Sequence, residues 1–144
     1  MKAGAWFVLW LWVRVVFGTG YLKRLVVLEV KYLLALYVNV WHVIEHDRFH
    51  QHAFSAVSIG LRGGYKEEVL LEDGTTRVDE YAAPWVRWIP RSHNHRMLKS
   101  TPGAISITIA GPWDRLWTET FLNGYVRVLT WGRKVVVQGE GRSK

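Results

Sequence analysis

The chain has 144 residues, of which 49% are hydrophobic and 22% charged; this excludes a globally disordered protein and fits one domain. It contains no cysteine, which excludes disulfides, cysteine-based zinc fingers, iron–sulfur clusters and thiol nucleophiles, so any metal must be held by His, Asp or Glu. The net charge of +7 favours anionic partners, and because the basic residues are scattered along the chain, a small anionic ligand is expected in preference to nucleic acid.

The first element in the chain is an apolar run over residues 5–17 that only Arg14 interrupts. The run is too short to cross a bilayer, which takes about 20 residues, and with one Lys before it and Arg14 inside it, it is a poor secretory signal. We expect a helix or strand whose aromatic side covers one face of the domain, with Trp6, Trp10, Val13 and Phe17 at helical spacing. Residues 1–20 are therefore interpreted as an N-terminal extension that could also form a homodimer contact, in a cytoplasmic protein without a transmembrane span.

The rest of the chain reads as short strands separated by turns. Turn signals such as Asn123-Gly124 and Asp73-Gly74 punctuate the sequence, which is typical of an all-β sandwich or barrel. We predict a β domain over residues 21–138 and a flexible polar tail over residues 139–144. The predicted strands cover residues 25–30, 32–44, 54–61, 67–71, 77–79, 85–89, 105–109 and 125–129.

Two histidine pairs are the most informative feature of the sequence. His50 and His52 precede one predicted strand, and His93 and His95 follow another after Pro90. In an extended chain, residues two apart project to the same face, so each pair can direct two imidazoles to one point. The pairs could face each other across a small barrel and bind a metal, since neutral imidazole is a common metal ligand.

The residues around these pairs resemble the motifs of the cupin superfamily. His50-Gln51-His52 followed by Gly64 looks like the first cupin motif, and Pro90 with His95 five residues later looks like the second. Residues 41–131 are similar to small single-domain cupins of phage and prophage genomes. The resemblance implies an all-β cupin-type double-stranded β-helix, that is, a jelly-roll barrel, and for a phage-encoded protein the cytoplasm of a bacterial host.

One departure from the cupin pattern shapes the expected chemistry. The glutamate of the first motif should fall at position 57, where this chain has Val57. What remains resembles the three-histidine centre of cysteine dioxygenase-like cupins, which implies His50, His52 and His95 as ligands of one divalent metal ion, with Fe(II) favoured over Zn, Ni or Mn. His93 is a fourth ligand, a residue that orients His95, or a solvated neighbour.

The resemblance implies a mononuclear Fe(II)-dependent oxygenase that acts on a small anionic substrate. The alternatives are a non-catalytic module that binds an anionic metabolite or nucleotide, a non-redox metal-dependent isomerase or lyase, and a structural protein.

Further candidate site residues take their roles from that centre. Tyr65 and Glu67 lie two residues apart on one strand face, so both could point inward, as a hydrogen-bond donor and as an acid/base or substitute ligand. Tyr65 could equally be an aromatic residue packed in the core, and Glu67 could equally be a carboxylate on the surface. His46 is interpreted as part of a polar loop outside the metal site. The candidate substrate-binding residues are Arg62 and Arg96, which could clamp an anion, and Trp88 and Trp117, which could wall a pocket.

Overall fold

The computed structural model describes residues 7–15, 18–19, 21–42, 45–114, 116–130 and 133–138. The regular elements within these ranges are all strands. They are β1 (Phe7–Val15), β2 (Gly18–Thr19), β3 (Leu22–Val30), β4 (Leu34–Trp41), β5 (Glu45–His46), β6 (Arg48–His50), β7 (Ala56–Arg62), β8 (Gly64–Leu70), β9 (Thr76–Ala82), β10 (Trp85–Ile89), β11 (His95–Ser100), β12 (Ala104–Ala110), β13 (Leu116–Phe121), β14 (Val126–Thr130) and β15 (Arg133–Gln138).

The strands form two antiparallel sheets of a jelly roll, as the all-β expectation required. The six-stranded sheet has the order β1-β3-β4-β12-β7-β10, and the seven-stranded sheet has the order β15-β14-β13-β6-β11-β8-β9. A small third sheet joins β2 to β5. Within the described residues, no helix is long and apolar enough to cross a membrane.

Alternation of side chains along each strand separates an inner face from an outer face. On β8, Tyr65, Glu67 and Val69 are buried, while Lys66 and Glu68 point the other way. On β12, Ala104, Ser106 and Ala110 are buried on the inner face. The inner faces of the two sheets therefore enclose the interior that holds the candidate site.

The N-terminal run forms a strand, so the helical spacing of its aromatic residues does not determine which of them face the core. β1 pairs antiparallel with β3 along its whole length. Trp10 is 67% exposed and Trp12 is 55% exposed, while Val8 and Val13 face inward and contact the core. Trp10 has a φ of 53°, a left-handed conformation that breaks the regular alternation. Trp6, Phe17 and the predicted tail over residues 139–144 lie outside the described residues.

The predicted strand over residues 32–44 is interrupted at its start. Lys31 to Leu33 form a turn in which the backbone N–H of Leu33 donates to the carbonyl of Val30, and β4 begins at Leu34. The turn lets β3 and β4 pair as a hairpin, which the apolar composition of the segment did not distinguish from continuous strand.

Two clusters of buried apolar side chains form the core. One joins β1, β3, β4 and the segment after β6, with Tyr37 and Phe54 as its large members. The other contains Leu22, Tyr65, Trp85 and Met97. In this second cluster the indole of Trp85 lies against the backbone of Gly60, where any Cβ would overlap the ring. Both clusters contribute residues to the wall of an internal cavity.

Candidate metal centre

Strand register brings His50 and His95 together. β6 and β11 are neighbours in the seven-stranded sheet, and these two histidines are direct partners across the antiparallel pair. Direct partners point to the same face of a sheet, and their ring centroids are 4.8 Å apart. Both side chains are buried. Two imidazoles that are distant along the chain therefore converge on the inner face.

His52 completes a set of three from the segment that follows β6. That segment is held in place because the backbone N–H of Gln51 donates to the carbonyl of Thr118 at 2.9 Å. The Nε2 atom of His52 lies 3.0 Å from Nε2 of His95. In this set of His50, His52 and His95, one ring nitrogen from each lies within 4.8 Å of the others.

Burial keeps these imidazoles neutral. The pKa values of His50 and His52 lie well below 6.5, first because burial disfavours the charged ring and then because neighbouring histidines would repel a second charge. Burial also lowers the pKa of His95, although the carboxylate of Glu67 opposes this shift. Neutral rings keep the lone pair with which imidazole binds a metal.

Glu67 fixes the orientation of His95. Its side chain is completely buried, and one carboxylate oxygen contacts Nδ1 of His95. Burial opposes the charge of Glu67, but hydrogen bonds from His93 and His95 and the charge of Arg87 outweigh it and lower the pKa of the carboxyl. An ionised carboxylate can only accept, so Nδ1 of His95 donates and Nε2 presents its lone pair towards His52. Such a carboxylate–histidine pair is the usual support of a metal-binding imidazole.

His93 lies on the other side of the same carboxylate. Its Nε2 is 3.2 Å from Oε1 of Glu67 and therefore donates to it. Glu67, His93 and His95 form a second group whose ligand atoms lie within 4.8 Å of one another. However, Nη1 of Arg87 lies 3.0 Å from the same Oε1 and already supplies a positive charge there. A cation at this second group would be repelled by Arg87, so the arrangement favours His93 as a residue that supports Glu67.

The donor set of His50, His52 and His95 fits a divalent transition metal. Three neutral nitrogen donors suit iron, zinc, copper or nickel. Val57, at the position of the expected carboxylate ligand, packs away from the cavity: it pairs with Trp88 and Ile109 on neighbouring strands, while Ala56 and Ser58 line the interior. With three donors and no carboxylate from this position, an ion would keep coordination positions open towards the cavity.

The cavity beside the histidines has a volume of about 230 Å³. Drug-sized ligands occupy pockets of roughly 300–1,000 Å³, so this space suits a smaller molecule. Arg24 of β3 lines it from the opposite sheet, and its Nε donates to Oδ1 of Asn39 at 2.9 Å. Burial lowers the pKa of Arg24, but Tyr37 and Glu29 oppose the shift, and a guanidinium remains charged in proteins. The positive charge of Arg24 also contributes to the low pKa of His52.

The structure brings some predicted site residues to the cavity and leaves others outside. Tyr65 and Trp117 line it, and the hydroxyl of Tyr65 contacts the guanidinium of Arg87. Arg62 is exposed at the end of β7. Arg96 points to the outer face, where its Nε donates to Glu68 at 2.7 Å. Trp88 is 62% exposed on the outer face of the other sheet. These last three residues do not reach the site.

Three residues of the site were not found from the sequence. His46 is buried with its ring centroid 5.1 Å from that of His50, and burial lowers its pKa to about 3. Arg24 and Arg87 face inward on β3 and β10. Alternation gives the only sequence signal: Arg24 lies between apolar residues of a strand, and Arg87 shares a face with Trp85 and Ile89.

Comparison with known proteins supports the fold. No family model matches the chain, and no curated protein matches it. Among solved structures it is similar to Bacillus subtilis oxalate decarboxylase: a structure at pH 4.6 superposes with a TM-score of 0.52 at 15% identity over 71% of this chain. The E162A mutant of that enzyme superposes with a TM-score of 0.53 at the same identity and coverage. A further structure of the same enzyme concerns its Mn(II) centres.

The chain spans 27% or 28% of the length of these oxalate decarboxylase chains. The similarity shows the jelly-roll fold, and the histidine cluster inside this fold could hold a metal ion.

Proposed function

We propose that the protein is a mononuclear metal-dependent oxygenase for a small anionic substrate, with His50, His52 and His95 as the ligands. The observation that carries the proposal is the convergence of three neutral imidazoles beside a small cavity whose opposite wall contains Arg24. Fe(II) is the favoured ion, with Zn, Ni or Mn as alternatives. When bound, Fe(II) would supply open positions for O₂ and substrate and an electron source for oxygen chemistry, whereas Zn would supply only a Lewis acid.

The chain's own residues would orient the substrate. Arg24 offers a planar fork of donors suited to a carboxylate, and its hydrogen bond to Asn39 holds that fork in place. Ser106 and Thr108 lie beside Asn39 and accept hydrogen bonds from its amide at 3.2 and 3.0 Å. An anionic group bound at Arg24 would therefore meet a polar wall opposite the histidines.

Tyr65 would donate a hydrogen bond in the cavity, and Glu67 would hold His95 in position. Burial raises the pKa of the Tyr65 hydroxyl, with the charge of Glu67 as the next cause, so the phenol stays protonated at neutral pH. It lines the cavity and can donate to a substrate or oxygen atom there. Glu67 is enclosed by His93, His95 and Arg87, which favours a role in orienting His95 over one as a substitute ligand.

The experiment is to load the purified protein with Fe(II) and follow O₂ consumption with a panel of small carboxylates, including thiol carboxylates. Substrate-dependent uptake that disappears in His95→Ala supports the oxygenase. Absence of uptake with every member of the panel contradicts it.

A non-catalytic binding module is the second candidate, because no carboxylate from position 57 joins the three imidazoles. Calorimetric titration of the same panel and of nucleotides decides this alternative: binding without turnover favours the module. A non-redox isomerase or lyase would convert substrate without consuming O₂. The homodimer, the cytoplasmic location and a phage origin stay predictions.

A further inference from the structure

Arg24 sets the direction of the hydrogen bonds along the wall opposite the histidines. A guanidinium can only donate, and Nε of Arg24 donates to Oδ1 of Asn39 at 2.9 Å. The oxygen of this amide therefore faces Arg24, and its NH₂ group faces away from it. Nδ2 of Asn39 donates to Oγ of Ser106 at 3.2 Å and to Oγ1 of Thr108 at 3.0 Å. Both hydroxyl oxygens consequently accept from Asn39.

Two indoles act on the same wall in the same direction. Nε1 of Trp41 donates to Oγ of Ser106 at 3.2 Å. Nε1 of Trp85 donates to Oγ of Ser58 at 3.2 Å. An indole N–H is a donor only, and a hydroxyl oxygen has two lone pairs. Because Ser106 accepts from both Asn39 and Trp41, its lone pairs are used and its O–H must donate elsewhere.

The hydroxyl protons of Ser58, Ser106 and Thr108 are directed to the cavity, which all three residues line. In the described part of the chain, no carbonyl or carboxylate oxygen accepts a hydrogen bond from these hydroxyls. Tyr65 follows the same rule, because its phenol oxygen accepts from the guanidinium of Arg87 and its O–H is left to donate. The polar side chains around the cavity therefore present donors to a ligand.

The side-chain acceptors of the cavity are already used. None of the described residues that line it is Asp or Glu. Oε1 of Gln51 accepts from the hydroxyl of Thr118 at 2.9 Å, and Nδ1 of His46 accepts from the backbone N–H of Met97 at 3.2 Å. The lone pairs of the three ligand histidines would be taken by the metal ion. An ammonium group in this space would leave its N–H bonds unsatisfied beside the charge of Arg24, which is costly.

We propose that the cavity selects carboxylates whose other polar atoms only accept hydrogen bonds, such as keto or ether oxygens, and that it rejects amino acids. This selectivity rests on the proposed function, because it requires the three imidazoles to be occupied by a metal ion. Ser58, Ser106 and Thr108 determine the specificity, since each offers a donor to the ligand. Asn39 is a positioning residue that turns two of these hydroxyls towards the cavity. Discrimination of this kind comes from the unpaired groups that the wrong ligand leaves behind.

The test is calorimetric titration of the Zn(II)-loaded full chain with methoxyacetate and with sarcosine. The two molecules are of the same size and each carries a carboxylate. The ether oxygen of methoxyacetate only accepts hydrogen bonds, whereas the secondary ammonium of sarcosine only donates them. Methoxyacetate should bind more than about 100-fold more tightly, because the ammonium would meet donors and a positive charge. Zn(II) has no redox chemistry, so the result does not depend on turnover.

Thr108→Val keeps the shape of the side chain and the charge of Arg24 but removes one donor. It should weaken methoxyacetate binding by about 10-fold without weakening sarcosine binding or lowering the metal content. Thr108→Ser should restore most of the affinity. Thr120→Val is the matched control: Thr120 pairs with Phe49, the neighbour of His50 in β6, so its side chain lies on the face turned away from the cavity.

Three results in the titrations would overturn the proposed selectivity: equal affinity for the two ligands, tighter binding of sarcosine, or binding of neither. A loss of methoxyacetate affinity in Thr120→Val as large as in Thr108→Val would overturn it too. Selective binding of methoxyacetate without any O₂ uptake by the Fe(II) protein would remove the oxygenase and leave the selectivity standing. O₂ uptake with an amino acid as substrate would support the oxygenase and overturn the selectivity.

Discussion

The hydrogen bond between Glu67 and His95 decides which imidazole nitrogen faces the cavity. The carboxylate is buried and ionised, so Nδ1 of His95 donates to it and Nε2 is left for a ligand. The same carboxylate accepts from His93 and pairs with Arg87. Side chains from three strands thus hold the ring of His95 in a single orientation.

Purified protein should contain about one divalent ion per chain, measured by elemental analysis. His50→Ala and His95→Ala should each lower metal affinity by more than about 100-fold, because losing a residue that merely orients a ligand already costs about 10–100-fold. His42→Ala is the matched control, since His42 stacks on Tyr21 outside the cluster. Equal metal content in all the variants would refute the assignment.

Glu67→Gln should lower metal affinity by about 10–100-fold without removing a ligand, because the amide no longer accepts as strongly from Nδ1 of His95. Competition with a chelator measures the change. Glu68→Gln, on the next residue but facing outward beside Arg96, should leave the affinity unchanged. If the two variants behave alike, the buried carboxylate has no special role in the site.

The metal-free protein should lose stability as the pH falls below 6.5. The pKa values of His46, His50, His52 and His95 are lowered in the folded state, to about 3 for His46. The unfolded chain therefore takes up more protons in this range, which favours unfolding as acid is added. Each histidine contributes up to about 1.4 kcal/mol per pH unit.

Urea unfolding of the chelated protein at pH 7.5, 6 and 5 measures this slope. Because the pKa of Glu67 is lowered in the folded state, this carboxylate adds a further loss of stability only when the pH falls below about 4.5, the usual pKa of a glutamate. His46→Gln should make the slope between pH 6.5 and 5 shallower. A free energy of unfolding that stays constant from pH 7.5 to 5 would contradict the burial of neutral rings.

Arg24→Met should weaken the binding of acetate or malonate to the metal-loaded protein by about 10–100-fold, since a hydrogen bond to a charged group contributes about 1.5–3 kcal/mol. Arg24→Lys should fall between wild type and Arg24→Met, because it keeps the charge but not the fork. Isothermal titration calorimetry gives the dissociation constants. Arg96→Met should have no effect on them, and a loss as large as that of Arg24→Met would move the anion site elsewhere.

Much of the fold was accessible from the sequence because alternation and turn residues are local signals. The regularly spaced short strands indicated two packed sheets, and the two histidine pairs marked the centre. For the N-terminal run the sequence allows a helix or a strand, because Trp6, Trp10, Val13 and Phe17 have a helical spacing. That spacing has no structural role in β1: the strand is fixed by its pairing with β3, a long-range contact that no window of sequence contains.

The surroundings of the metal centre were harder to predict than its ligands. Arg62 and Arg96 flank the motifs in the sequence, but proximity along the chain does not determine which face of a strand a side chain occupies. Arg24 comes from a strand remote from both motifs, and Arg87 lies three residues before Pro90 on β10; both belong to the six-stranded sheet and reach the site only when the sheets close. The sequence places His46 in a polar loop with Asp47 and Arg48. Its burial depends on a long-range contact with β11, where the backbone N–H of Met97 donates to Nδ1 of His46 at 3.2 Å.

The contact between Gly60 and Trp85 limits which substitutions this barrel can accept during evolution. Because any Cβ at position 60 would overlap the indole, a larger residue there can be accepted only after Trp85 has become smaller. The two positions should therefore vary together among homologues. Since Trp85 packs on Tyr65, which lines the cavity, such paired exchanges offer a route by which descendants of this protein could accommodate bulkier molecules.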